Sequence, residues 1–195
     1  MRQFSPITRT WLRVDRQLRR LVPRARTRTW SSSTDPRLTQ SCNHCHAVHE
    51  HGADCESCFH ALLAYENERP AAFGAVHHIT VSTYYLQHPA GYRPEVLDHW
   101  REVIRKALAG ATIRELREFS GKAFEGSKRV REPGATPPGW WPSSWPLTIQ
   151  SVFVPDAIPD VDDYVDRARQ WARATLDALD AAEASSDAPR RTARR

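Results

Sequence analysis

The stretch CNHCHAVHEHGADCESC, residues 42–58, determines how this part of the chain folds. So short and polar a loop lacks folding free energy of its own, and a bound metal ion could supply it. It contains all four cysteines of the chain, arranged as two CxxC pairs with nine residues between them. Two CxxC turns can bring four thiolates around one tetrahedral metal ion. We therefore predict a metal site on Cys42, Cys45, Cys55 and Cys58.

The spacing also bears on which metal binds and what it does. Zinc suits four thiolates and needs no redox partner, with iron as the runner-up. A site closed by four protein ligands leaves no position for water, so it is structural and not catalytic. The alternative is a set of free thiols or a redox pair. His49 and His51 are further candidates that could replace Cys55 as a ligand.

Charge divides the chain into three parts. The whole chain carries +5, but residues 1–40 carry +8, and the last ten residues carry +3. We predict a basic, disordered extension at 1–38, a zinc-binding helical domain at 39–184 and a disordered basic tail at 185–195. An organellar transit peptide is an alternative interpretation of the extension. The domain itself is acidic, which argues against nucleic-acid binding across the fold and leaves the basic arms as the place for it.

Hydropathy and cysteine usage indicate a compartment. No run approaches 18 apolar residues, so we expect no membrane span. No apolar stretch follows the arginines of the N-terminus, which argues against a secretory signal. We expect a cytoplasmic protein, and in that compartment the cysteine spacing favours a metal site over disulfides.

Hydrophobic periodicity predicts a mainly α fold, in which a small four-cysteine knuckle-like or ribbon-like module is attached to a bundle of about four or five helices. At most one or two short strands are expected, including one at 147–154. A β-branched run within 71–87 makes a strand the competing interpretation there, although its length favours a helix. The segment at 133–146 has five prolines and three tryptophans, and we expect it to pack over the helices as a lid.

A second group of polar residues follows one helical stripe. His77, Tyr84 and His88 recur at helical spacing, and His99 would face them if the next helix packs antiparallel. Such residues could bind a catalytic metal or act as a general acid/base pair. Two alternatives remain open: hydrogen-bonded core and turn residues, or a groove for a partner.

The stretch VHHITVSTYYLQHPAGY, residues 76–92, resembles the most recognisable motif of a bacterial family of unknown function. Members typically have a CxxCG pair, a further cysteine before an aromatic residue, and a motif like VHxLTVDxYxxQHPG. The matching positions are CNHC at 42–45, Cys58-Phe59, His77, Thr80, Val81, Tyr84, Gln87, His88 and Pro89. The resemblance covers about residues 40–180.

Three positions depart from that family pattern. The glycine after the first CxxC is His46 here, and the aspartate of the helix motif is Ser82, which weakens a metal or acid/base role for that helix face. Cys55 falls where other members have a residue that is not a ligand. Those members must fill the fourth position otherwise, for example with a histidine, so Cys55 has the weakest support of the four ligands. The resemblance implies a bacterial cytoplasmic protein with an N-terminal metal module and a helical remainder, and it implies no substrate.

Three functions are compatible with these patterns. The first is a non-enzymatic interaction or regulatory module with a structural zinc site and a protein partner. The second is a metal-dependent hydrolase or transferase that uses His77, His88 and His99, with Tyr84 as a further candidate. The third is nucleic-acid binding through the Arg-rich N-terminal arm, whose affinity would fall steeply with salt.

Overall fold

Helices make up most of the described chain. The computed structural model describes residues 39–49, 53–123, 130–154, 157 and 159–192, with side chains described as far as residue 186. Within these residues the elements are two strands, β1 (Gln40–Ser41) and β2 (Val48–His49), and six helices, α1 (Cys55–Glu68), α2 (Pro70–Gln87), α3 (Pro94–Leu108), α4 (Ile113–Ala123), α5 (Ile149–Val152) and α6 (Val161–Thr192). The predicted mainly helical fold with a cysteine cluster near its start and only short strands is confirmed. The extension at 1–38 lies outside the described residues.

The central helix is α2, which packs most extensively against α3 and α6 and also contacts α1. It is apolar on nearly all sides, as expected of a helix buried within a bundle. The strand alternative for this segment is wrong, because helical geometry lets its threonines satisfy their hydroxyls locally: Thr83 Oγ1 donates to the Ile79 carbonyl at 2.7 Å. Proline begins the helix at Pro70, and His88 and Pro89 follow its end.

Helices α3 and α4 begin where their sequences predict. Pro94 is the first residue of α3, and the side chain of Thr112 caps α4 together with Glu115. The Thr112 N–H donates to Glu115 Oε2 at 2.8 Å, and the Glu115 N–H donates to Thr112 Oγ1 at 3.3 Å. Helices α2 and α4 approach closely, since a Cβ placed on Gly74 would lie 2.6 Å from Ile113 Cδ1.

The strand predicted at 147–154 is wrong. Residues Ile149–Val152 form a single helical turn, and Val154 makes only an isolated bridge to Ala157. The turn has its own start signal, because Thr148 and Ser151 form a capping box. Its two apolar residues, Ile149 and Val152, are buried in the core beside α6.

The last helix, α6, supplies much of the core. Its fully buried side chains include Tyr164, Trp171 and Leu179, which repeat at helical spacing. The predicted tail from residue 185 overlaps the end of this helix, which continues to Thr192. Across the described part of the chain, every helix is too short or too polar to traverse a lipid bilayer.

Candidate metal centre

The first half of the site is a short hairpin. Strands β1 and β2 pair antiparallel, with Ser41 opposite Val48, and the turn between them holds Cys42 and Cys45. The Cys42 N–H donates to the Ala47 carbonyl at 2.9 Å, and the His44 N–H donates to Cys42 Sγ at 3.4 Å. The backbone therefore fixes the first CxxC pair and already supplies a hydrogen bond to one of its sulfurs.

The second CxxC pair opens helix α1. Asp54 caps this helix, accepting the Ser57 N–H at 2.6 Å, so Cys55 occupies the first helical position and Cys58 lies one turn later. Both sulfurs are buried, Cys55 at 4% and Cys58 at 2% exposure. Residues one turn apart share a helix face but differ in height, so the two sulfurs can meet different neighbours.

The third contribution comes from the end of α2, far away in sequence. The Sγ atoms of Cys42, Cys45 and Cys55 and a ring nitrogen of His88 all lie within 4.8 Å of one another. Cys45 Sγ is 3.4 Å from Cys55 Sγ, and Cys42 Sγ is 3.5 Å from His88 Nε2. In a tetrahedral zinc site, bonds of about 2.3 Å to sulfur and 2.0–2.1 Å to nitrogen would separate sulfurs by roughly 3.8 Å and sulfur from nitrogen by roughly 3.5 Å. The four atoms thus fit one metal ion.

The orientation of His88 is set by the helix that it terminates. Its Nδ1 is 2.8 Å from the Tyr84 carbonyl oxygen, which can only accept, so the ring proton sits on Nδ1. The Nε2 lone pair therefore faces Cys42. The Tyr84 ring stacks on the His88 ring at 4.2 Å between centroids, and Phe59 stacks on the other side of Tyr84 at 3.8 Å. A metal-binding histidine is commonly held in this way, with its second nitrogen donating to a carbonyl.

His49 lies beside the candidate ligand group, which consists of Cys42, Cys45, Cys55 and His88. It is 1% exposed, and its Nε2 is 3.0 Å from Cys55 Sγ while its Nδ1 is 2.9 Å from Gln150 Nε2. With the Gln150 amide donating to Nδ1, the His49 ring proton is on Nε2 and is donated to the Cys55 sulfur. Burial is the main cause that lowers the pKa of His49, which favours the neutral ring. His49 is therefore placed to support Cys55 if that sulfur binds a metal, and it lies outside the group of four converging ligand atoms.

Cys58 occupies a different place from the one predicted by the cysteine spacing. The described residues whose ligand atoms converge are Cys42, Cys45, Cys55 and His88, and this group does not include Cys58. The Cys58 sulfur instead lies 3.7 Å from His49 Nδ1. Burial raises the pKa of its thiol, with Asp54 adding to the effect, which favours the protonated form. His51, the other predicted substitute, lies outside the described residues.

One proton is shared within the ligand group. A hydrogen bond from Cys55 is the largest cause that lowers the pKa of the Cys45 thiol, against the opposing effect of burial, and the nearby His88 adds to the lowering. The pKa of the Cys55 thiol is raised, because it donates that hydrogen bond and is buried. A metal ion needs thiolates, so its binding would release this proton.

His77 belongs to a separate network. Its Nδ1 is 2.7 Å from Glu66 Oε2, and the buried Glu66 carboxylate also accepts from Thr80 Oγ1 at 2.8 Å and from the Tyr164 hydroxyl at 2.5 Å. Glu66 is 3% exposed, whereas the His77 side chain is 41% exposed. The network joins α1, α2 and α6 around one carboxylate. No spacing argument pointed to Glu66, because its partners are 11 to 98 positions away.

The predicted catalytic candidates do not converge. Eleven residues of helix separate His77 from His88 by about 16 Å along the axis of α2. His99 stacks on Phe119 of α4, at 4.7 Å between ring centroids. Tyr84 contacts His88 twice, through a hydrogen bond to its backbone carbonyl and by stacking of the two rings. The structure thus divides the four candidates among three places.

Comparison with known proteins identifies a family for this chain. The family described as "Family of unknown function (DUF5946)" matches residues 40–180, which span the hairpin, the ligand group and most of α6. No curated protein and no solved structure matches the chain. Because the match covers well over half of the sequence, the chain belongs to the DUF5946 family of unknown function.

Proposed function

We propose that this protein is a zinc protein whose single ion is held by Cys42, Cys45, Cys55 and His88. The observation that carries the proposal is the 2.8 Å contact between His88 Nδ1 and the Tyr84 carbonyl oxygen. The Tyr84 carbonyl accepts a hydrogen bond from Nδ1–H, so the Nε2 lone pair faces three clustered thiols. A half-buried histidine held in this orientation beside a thiol cluster is the arrangement expected of joint metal binding.

The donor set favours zinc over iron. Three thiolates and one imidazole at tetrahedral separations are a common structural zinc set, whereas protein-bound iron–sulfur sites mostly use four thiolates. Zinc also brings no redox chemistry, which agrees with a centre whose sulfurs are largely buried.

The proposed role of the ion is structural. All four positions are filled by protein atoms, so no site is open for water or substrate. The ion would join the hairpin, the start of α1 and the end of α2. Few apolar residues of the hairpin are buried, so packing alone stabilises it little. The binding free energy of the ion would therefore appear as folding free energy of this corner of the protein.

We further propose that the zinc-stabilised domain is a non-enzymatic interaction module that binds a protein partner. Support comes from the placement of the histidines that the enzyme hypothesis requires, since they contact Glu66, Cys42 and Phe119 in separate places. Nucleic-acid binding through the Arg-rich arm concerns residues 1–38, outside the described part of the chain.

Elemental analysis combined with chelation tests the structural role. Purified wild type should contain one zinc per chain, and its removal should lower the melting temperature and abolish the cooperative unfolding of the hairpin. Re-addition of zinc should restore both. A metal-free protein with an unchanged melting temperature, or stoichiometric iron in place of zinc, would contradict the proposal.

A further inference from the structure

The four cysteines differ in how far solvent reaches them. Cys45, Cys55 and Cys58 are buried, with 1%, 4% and 2% of their surface exposed, whereas Cys42 is half-buried. Cys42 lies in the turn of the hairpin, and its neighbours in sequence on both sides are exposed. A small reagent dissolved in water therefore meets Cys42 before it meets the other three cysteines.

Cys45 lies within reach of Cys42. The Sγ atoms of both residues belong to the candidate ligand group, whose ligand atoms all lie within 4.8 Å of one another. The His46 N–H donates to the Cys42 carbonyl at 3.0 Å, which closes a turn over residues 42–46. In a closed turn, Cα atoms three positions apart lie within about 7 Å, and disulfides span about 4.4–6.8 Å between Cα atoms. A bond between the two sulfurs therefore needs side-chain rotation and little backbone movement.

Cys55 is a less favourable partner for Cys42. Its sulfur belongs to the first turn of α1, where it lies 3.0 Å from His49 Nε2. A bond to Cys42 would disturb that contact and would close a loop of thirteen positions in place of three. Because a shorter flexible loop closes at a smaller entropic cost, Cys45 is the favoured partner once the metal ion no longer holds the sulfurs in place.

We propose that Cys42 is a site of reversible oxidation by hydrogen peroxide, and that a Cys42–Cys45 disulfide then forms and releases the zinc ion. The inference rests on the proposed zinc site, because a bound zinc ion would hold Cys42 as a thiolate. The thiolate is the nucleophilic form of cysteine, and its oxidation is selective for accessible sites. Zinc itself takes no part in the electron transfer.

The reaction balances with peroxide as the oxidant. The Cys42 thiolate attacks one peroxide oxygen, so an S–O bond forms, the O–O bond breaks and hydroxide leaves. The Cys45 thiolate then attacks the Cys42 sulfur, so an S–S bond forms and a second hydroxide leaves. Two protons from solvent convert both hydroxides to water. The sulfurs lose two electrons, peroxide is reduced to two waters, and zinc leaves as Zn²⁺ because two of its ligands are gone.

Oxidation would change how the hairpin is attached to the helices. In the reduced protein Cys42 Sγ lies 3.5 Å from His88 Nε2, and Cys45 Sγ lies 3.4 Å from Cys55 Sγ. These two contacts connect the hairpin to the end of α2 and to the start of α1. A Cys42–Cys45 disulfide closes within the hairpin and removes both sulfurs from these contacts. The oxidised hairpin would therefore separate from the helices, and reduction with zinc would reattach it.

The test uses reduced, full-length protein whose zinc content has first been measured as one per chain. Hydrogen peroxide is added, zinc release is followed with a chromogenic indicator, and free thiols are counted after denaturation. We expect each chain to lose one zinc and two thiols, and reduction with added zinc to restore both. Protease cleavage at Glu50 separates the first CxxC pair from the second, so mass spectrometry should locate the disulfide between Cys42 and Cys45.

Two further measurements isolate the roles of exposure and position. In the zinc-loaded protein, N-ethylmaleimide should alkylate Cys42 at least about tenfold faster than Cys58, since only Cys42 is half-exposed. Cys58→Ser is the matched control, because Cys58 lies outside the candidate ligand group, and this variant should release zinc at the wild-type rate.

Peroxide that leaves zinc bound, or a disulfide that omits Cys42 or joins it to Cys55, would overturn the inference while the proposed zinc site stands. Absence of zinc from the starting protein would refute the proposed function itself, and this inference with it.

Discussion

Acidification should destabilise the fold through His78, a buried histidine on the central helix. His78 is 9% exposed, and burial lowers its pKa to about 4, with His77 and Arg117 nearby adding to the effect. In the unfolded chain the same ring has an ordinary pKa of about 6.5. Between these two values the unfolded state binds more protons, so stability is lost as the pH falls through this window.

The two pKa values set the size of the effect. Going from about pH 8 to about pH 5, the unfolded ring becomes protonated while the folded ring stays neutral, which costs about 2 kcal/mol of folding free energy. The proposed assay is urea denaturation of wild type and His78→Gln at both pH values. Each protein contains the same candidate metal site and the same other histidines, so the difference between their pH responses reports on His78.

Wild type should lose about 2 kcal/mol more than His78→Gln on acidification. A constant destabilisation of the variant at both pH values would not matter, because it cancels in the comparison. Equal pH responses of the two proteins would refute the argument that His78 is held neutral by burial.

Two further experiments probe polar contacts, one in the Glu66 network and one beside the candidate metal site. In a double-mutant cycle, Glu66→Gln and His77→Ala should couple by about 1 kcal/mol in urea denaturation, a value kept low because His77 is half-exposed. His49→Ala should raise the zinc Kd by about 10- to 100-fold in a competition titration, because Cys55 loses the hydrogen bond from His49 Nε2.

Each of these has its own control. Additive effects of the Glu66 and His77 changes would show that their 2.7 Å contact contributes nothing. For the zinc titration, His60→Ala is the matched control, since His60 is an exposed histidine on α1 and its loss should leave the Kd unaltered. An unaltered Kd in His49→Ala as well would contradict the supporting role of His49.

The helices were predictable where local signals agreed. Pro94 and the Thr112–Glu115 capping box fixed the starts of α3 and α4, since such signals act within one turn of the helix. Residues 147–154 were not predictable in this way. Their loose alternation resembles a strand, but the described residues offer no strand beside them, and the Thr148 capping box starts a helical turn instead.

The metal site shows the limit of spacing arguments. Cys42, Cys45 and Cys55 were predicted as ligands from their positions in two CxxC pairs, and the structure brings their sulfurs together. His88 was predicted only as a catalytic candidate. Its contact with Cys42 could not be predicted from spacing, because 46 positions separate the two residues in sequence. Only tertiary packing of α1 against α2 brings the end of α2 to the hairpin. The suggestion that a histidine fills the fourth position in related proteins was the one signal that pointed this way.

The most direct measurement is the zinc content of three variants after exhaustive dialysis, compared with wild type. We expect one zinc per chain in wild type, in Cys58→Ser and in the control His77→Ala. His88→Ala should lose its zinc, with a Kd raised more than about 100-fold, beyond the usual effect of changing a residue that only supports a ligand. Zinc retained by His88→Ala but lost from Cys58→Ser would contradict the account and restore the four-cysteine site.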